Sequence, residues 1–141
     1  MKILYIILTC EKYRNRMQWQ KSTWLKNVNE SDYIYLEEPV GEETYNNAPK
    51  KYVQFFSSFE RILEYDWVFF CDDDTFVFTD RLKHFLTPID RTPKMIGYIL
   101  GDFDVEKFRT TLCSGGAGIA VTSNLVQAAK VPAALECDLQ S

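Results

Sequence analysis

WVFFCDDDTFVF, residues 67–78, carries five apolar residues, Trp67 to Cys71, straight into Asp72, Asp73 and Asp74 before an apolar run resumes at Phe76. A short apolar run without alternation is the pattern of a strand buried on both faces of a sheet. Three adjacent carboxylates crowded against such a strand repel one another and resist losing their water. Something has to offset that cost. In open parallel sheets ligands sit outside the carboxyl ends of the strands, which is where these aspartates stand. Oxygen-rich clusters of this kind bind hard divalent ions such as Mg²⁺ or Mn²⁺, often jointly with the phosphates of a substrate.

The flanking sequence supplies the rest of an α/β pattern. KILYIIL, residues 2–8, reads as another buried strand and YIYL, residues 33–36, as a short strand. Between them Glu11 to Lys26, with Trp19, Trp24 and Leu25, reads as a loop and a helix. The acidic, Gly- and Pro-containing EEPVGEETYNNAP of residues 37–49 reads as a surface loop. A helix is predicted to begin near Pro49 with Asn46 or Asn47 as cap. Its apolar positions, Tyr52, Phe55, Phe56, Phe59, Ile62 and Leu63, follow helical spacing and commit one face to a core. A short helix over Thr79–Leu86 and a strand over Met95–Leu100 follow. Strand, helix, strand alternation predicts a mostly parallel central sheet flanked by helices, and 141 residues make one domain.

Composition narrows the function classes. With 16 basic and 20 acidic residues the net charge is −4, which gives no support to nucleic-acid binding. The apolar run near the N-terminus, Ile3 to Leu8, is followed at once by Glu11, Lys12 and Arg14. That is too short for an export signal, and no later segment has the length of a membrane span. The expectation is a soluble, cytoplasmic protein without signal peptide or anchor. Cys10, Cys71, Cys113 and Cys137 are far apart and form no CxxC pair, so they read as small buried residues.

Three carboxylate motifs compete for the aspartates. The calcium-loop pattern requires Gly at position 6 and Glu at position 12, but counting from Asp72 those places hold Val77 and Lys83. A phosphohydrolase pattern, Asp-x-Asp-x-Thr after an apolar strand with Asp72 as nucleophile, fits Asp72 and Asp74 but meets Phe76 where Thr is required. The Asp-x-Asp of nucleotide-sugar glycosyltransferases, in which carboxylates hold a metal bridging a diphosphate, fits without violation. A second feature is CSGGAGIAVT, residues 113–122, where Gly115, Gly116 and Gly118 precede an apolar run. Such glycines serve a ligand approach or a sharp bend, and neither the phosphate-loop nor the dinucleotide pattern is met.

Taken together these segments resemble the fringe and β-1,3-galactosyltransferase family of GT-A glycosyltransferases. The matching elements are the strand ending in Leu8-Thr9-Cys10, the Arg-rich stretch leading to Thr23-Trp24-Leu25-Lys26, the DDDTFV of residues 72–77, and the SGGAG of residues 114–118. The resemblance implies one GT-A, Rossmann-like domain over residues 1–141, with its C-terminal acceptor part shortened. It implies transfer of a sugar from a UDP-sugar donor to a hydroxyl of a glycan or glycoconjugate acceptor, with inversion and with Mn²⁺ or Mg²⁺. Asp74 would be the principal metal ligand, with Asp72 on the metal or the ribose and Asp73 near the donor sugar. Thr9, Cys10 and Arg14 would line the uracil and ribose pocket; Gly115, Gly116 and Ala117 would floor the place where donor and acceptor meet. Family members supply a catalytic Asp, and often a metal-binding His, beyond the glycine segment. Here the expected Asp-Asp pair is missing, and Glu136 and Asp138 fall where the base is sought. His84, the only histidine, reads as a solvent-side helix residue. The alternatives are a sugar-nucleotide-binding remnant without transfer activity and the phosphohydrolase. The lack of an anchor points to a microbial or viral enzyme.

Overall fold

The computed structural model describes residues 1–105, 108–113 and 115–130. The chain begins with strand β1 (Ile3–Leu8), helix α1 (Arg14–Ser22) and strand β2 (Tyr33–Leu36). Helix α2 (Ala48–Ser58), strand β3 (Trp67–Asp72) and helix α3 (Thr79–Leu86) come next. Strands β4 (Met95–Gly97), β5 (Ile99–Val105), β6 (Phe108–Cys113) and β7 (Ile119–Thr122) complete the strands, and residues 123–130 are helical.

Five strands form one sheet in the order β2-β1-β3-β7-β4. β1 pairs in parallel with both β2 and β3, whereas β7 runs antiparallel to both β3 and β4. The sheet is therefore mixed, where strand and helix alternation had predicted a mostly parallel one. The reason lies between β4 and β7: instead of a crossover helix the chain makes the antiparallel ribbon β5–β6 and re-enters the sheet in the opposite sense. The strand expected over Met95–Leu100 accordingly splits at the exposed Tyr98, its first part in the sheet and its second in the ribbon.

The unalternating apolar runs have the predicted cause. Ile3, Tyr5 and Ile7 of β1 and Trp67, Phe69 and Cys71 of β3 face one core layer with Trp24, Leu25 and Leu86. Leu4, Ile6 and Val68 face the other, against Phe56, Ile62, Val121 and Val126. Side chains alternate between faces along a strand, and helices cover both, so every position is apolar. Burying an Ile or Leu fully contributes about 2 kcal/mol, which makes β1 and β3 the centre of the fold.

Helix α2 starts with Pro49 in its first turn, as expected, but ends at Ser58, earlier than its apolar stripe. The Ser57 and Ser58 hydroxyls donate to the carbonyls of Gln54 and Phe55, the kind of local bond that competes with helix continuation. Ile62 then packs into the core from a 3₁₀ turn while Leu63 is exposed. Asn47 uses its side chain to donate to the Glu42 carbonyl, and the side-chain cap in this region is Thr44. Among the described residues no helix is long and apolar enough to cross a membrane.

Candidate active site

The parallel register fixes the site. Leu8 lies opposite both Asp72 and Leu36, so β1, β2 and β3 end together at one edge of the sheet. Thr9 and Cys10 follow β1 there, Glu37 follows β2, and Asp72, Asp73 and Asp74 close β3. Because β7 is antiparallel, with Ile119 opposite Phe70, its preceding turn, Gly115–Ala117, comes to the same edge. The reversal that breaks the parallel sheet thus brings the aspartates and the glycine turn to one end.

A cleft of about 790 Å³ opens along this edge, within the usual range for small-molecule sites. It is lined by Thr9, Cys10, Tyr13, Arg16, Glu37, Tyr45, Lys51 and the three aspartates, among others. The aspartates are not equivalent. Asp73 is 6% exposed and both its oxygens are taken: Thr9 Oγ1 donates to Oδ2 at 2.8 Å and an Arg16 guanidinium N–H to Oδ1 at 3.1 Å. Asp73 therefore holds the end of β1 and helix α1 to the loop after β3. Asp74 is exposed and Asp72 half-buried. Burial, and then the charges of Asp74 and Asp73, push the Asp72 carboxyl above the ordinary range for an aspartate. Burial pushes the Cys71 thiol up to about 12, so it stays neutral and inert.

Helix α1 clamps the aspartate loop from one side. Gln20, buried, donates through Nε2 to the carbonyls of Asp72 at 3.1 Å and Thr75 at 2.8 Å, and its Oε1 accepts the Tyr35 hydroxyl at 2.7 Å. The Trp24 indole N–H donates to the Thr75 carbonyl at 3.1 Å. On the other side Lys51 is 4% exposed and donates to the Thr9 carbonyl at 2.8 Å while pairing with Glu43 at 2.6 Å. A buried ammonium needs such partners, and these tie α2, the end of β1 and the 37–47 loop together.

The residues expected from the sequence are distributed as follows. Thr9, Cys10, Asp72, Asp73 and Asp74 line the cleft. Arg14 is turned to solvent and paired with Glu37 at 2.7 Å, and Arg16 takes the place at the cleft expected for it. Gly116 and Ala117 are exposed at the same sheet edge, while Gly118 is buried with φ +85° against the Phe69 ring. Glu136, Asp138 and Ser114 lie outside the described residues. Arg16, Gln20 and Lys51 were missed. Arg16 and Gln20 stand at i, i+4 on one helix face, and Lys51 adjoins the apolar stripe of α2, so spacing held a signal for all three.

Among the described residues no group of three or more His, Cys, Asp or Glu side chains converges as a metal cage. Asp72 and Asp74 nonetheless fit a hard cation that completes its shell with substrate phosphate oxygens and water, since Mg²⁺ sites commonly use one or two carboxylates. The cleft lining carries six carboxylates and three cationic side chains, a balance that repels a bare diphosphate and accepts one accompanied by a cation. No protein-family model matches the chain, and no curated protein matches it either.

Proposed function

We propose that this chain is a metal-dependent glycosyltransferase of the GT-A, fringe-like kind. It moves one sugar from a UDP-sugar donor to a hydroxyl of a glycan or glycoconjugate acceptor, with inversion. The observation that carries this reading is the cleft at the common end of β1, β2 and β3, with Asp72 and Asp74 at one end of it, their side chains making no hydrogen bond or ion pair among the described residues, and Asp73 consumed in fixing their loop.

In this reading Asp74, with Asp72 beside it, holds Mn²⁺ or Mg²⁺. A divalent ion there supplies positive charge against the negative charge that builds on the departing UDP. Thr9 and Arg16 hold Asp73, and through it the loop, so the two free carboxylates meet the donor in a fixed position. Gln20 and Trp24 hold the carbonyls of the same loop, which keeps it from rearranging as the donor binds. Cys10 and the turn at Gly116 and Ala117 border the donor on either side. Direct displacement also needs a carboxylate to take the proton of the acceptor hydroxyl. Glu136 and Asp138 are the candidates carried from the sequence.

The test is release of UDP from a panel of UDP-sugars with Mn²⁺ and a mixture of simple glycosides as acceptors. Metal-dependent release that rises with an acceptor supports transfer. UDP binding without release from any donor reduces the protein to a sugar-nucleotide binder.

A further inference from the structure

The cleft has a direction. The strand order β2-β1-β3 and a spacing of about 4.8 Å between neighbours put the end of β2 roughly 10 Å from the aspartates at the end of β3. The end of β2 leads into the 37–47 loop, so this loop walls the cleft on the side away from the three aspartates. It lends the cleft Pro39 and Tyr45, next to Ala48 at the start of α2, together with Glu37 and Glu43, whose charges are met by Arg14 and Lys51.

Tyr45 stands out on that wall because the residue is 93% exposed although it lines a cleft. It sits in a 3₁₀ turn, Tyr45–Asn47, that is fastened on several sides. The Asn47 N–H donates to Thr44 Oγ1 at 3.3 Å and the Asn47 side chain to the Glu42 carbonyl at 2.8 Å. Glu43 is pinned by the buried Lys51, and Gly41 reverses the chain with φ +72°. A fixed backbone carrying a bare aromatic ring is a stacking surface that loses little entropy when a flat partner covers it. A nucleoside diphosphate has the matching polarity: charge at one end, a flat base at the other, and enough length to cross β1.

We propose that Tyr45 is the platform on which the nucleotide base of the donor stacks, which makes the cleft select a nucleoside diphosphate over a bare diphosphate. This rests on the sugar-nucleotide reading above. The test is calorimetric titration of the wild type, Tyr45→Ala and Tyr45→Phe with UDP and with inorganic pyrophosphate, each in Mg²⁺. Tyr45→Ala is expected to weaken UDP about tenfold, the scale of one base stacked on an aromatic ring. Tyr45→Phe should stay within about twofold of the wild type, because the ring and not the hydroxyl does the stacking. Pyrophosphate should bind all three equally, and their melting temperatures should coincide because so exposed a ring holds nothing in the fold. Unchanged UDP affinity in Tyr45→Ala, or an equal loss for pyrophosphate, overturns the assignment while leaving the sugar-nucleotide reading intact. A wild type that binds no UDP overturns both.

Discussion

Replacing Gln20 by Leu tests whether helix α1 truly holds the aspartate loop. Gln20 is 4% exposed and makes three hydrogen bonds, to the Asp72 and Thr75 carbonyls and from the Tyr35 hydroxyl. A hydrogen bond contributes about 1 kcal/mol net, and a buried group left without a partner costs about 1–3 kcal/mol. The losses are unequal. The Thr75 carbonyl keeps the Trp24 indole and the Asp72 carbonyl keeps the Thr75 N–H at 3.2 Å, so the Tyr35 hydroxyl is the group left without another hydrogen-bond partner among the described residues. The apolar body of Leu retains the packing. The expected loss is about 2–3 kcal/mol, read from urea unfolding followed by tryptophan fluorescence. Tyr35→Phe should lose about 1 kcal/mol, and adding it to Gln20→Leu should cost less than the sum, because the two share a bond. A loss below about 0.5 kcal/mol for Gln20→Leu, the range of an ordinary surface substitution, would refute the clamp.

Other outcomes follow from the same geometry. Gly118→Ala should destabilise by about 2–4 kcal/mol in the same unfolding measurement, combining strain at positive φ with overlap of the new Cβ and the Phe69 ring. Asp73→Asn should lower the melting temperature by several degrees, because it removes the charge that holds Arg16 and unsettles the Thr9 bond, whereas Asp74→Asn, which only relieves repulsion on Asp72, should not lower it. Asp72 has its pKa raised in the folded state, so its contribution to stability is fully present below the ordinary aspartate range and is lost as pH rises through the folded value. Asp72→Asn should therefore raise the melting temperature of the metal-free protein at pH 7, with the gain vanishing near pH 3.

The sequence disclosed most of what burial alone determines. β1, β2, β3 and α3 fall at or within a residue of where the sequence placed them, β1 and β3 because a doubly buried strand leaves no other pattern. The end of α2 was not legible: the stripe runs on to Leu63, but the chain turns at Ser58 and uses Ile62 from a separate turn. Nor was the direction of β7, because an apolar run of four residues is the same read either way. At the site the sequence located the carboxylates, and the family resemblance gave each a separate role, but neither disclosed that Asp73 is held by Thr9 and Arg16. Which of three adjacent aspartates is consumed by Thr9 and Arg16 depends on the register of β1 against β3 and on the turn after Asp72. Arg14 and Arg16 are likewise equal candidates until the helix they begin is seen to turn one outward and the other inward.

On the function proposed above, Asp72 and Asp74 form a cation-dependent seat for a nucleoside diphosphate. Calorimetric titration of UDP into the wild type and Asp74→Asn, each with and without Mn²⁺, tests it most directly. UDP is expected to bind the wild type only when Mn²⁺ is present, and that binding is expected to be lost in Asp74→Asn without any fall in melting temperature. UDP binding that is indifferent to Mn²⁺, or that survives intact in Asp74→Asn, would contradict it.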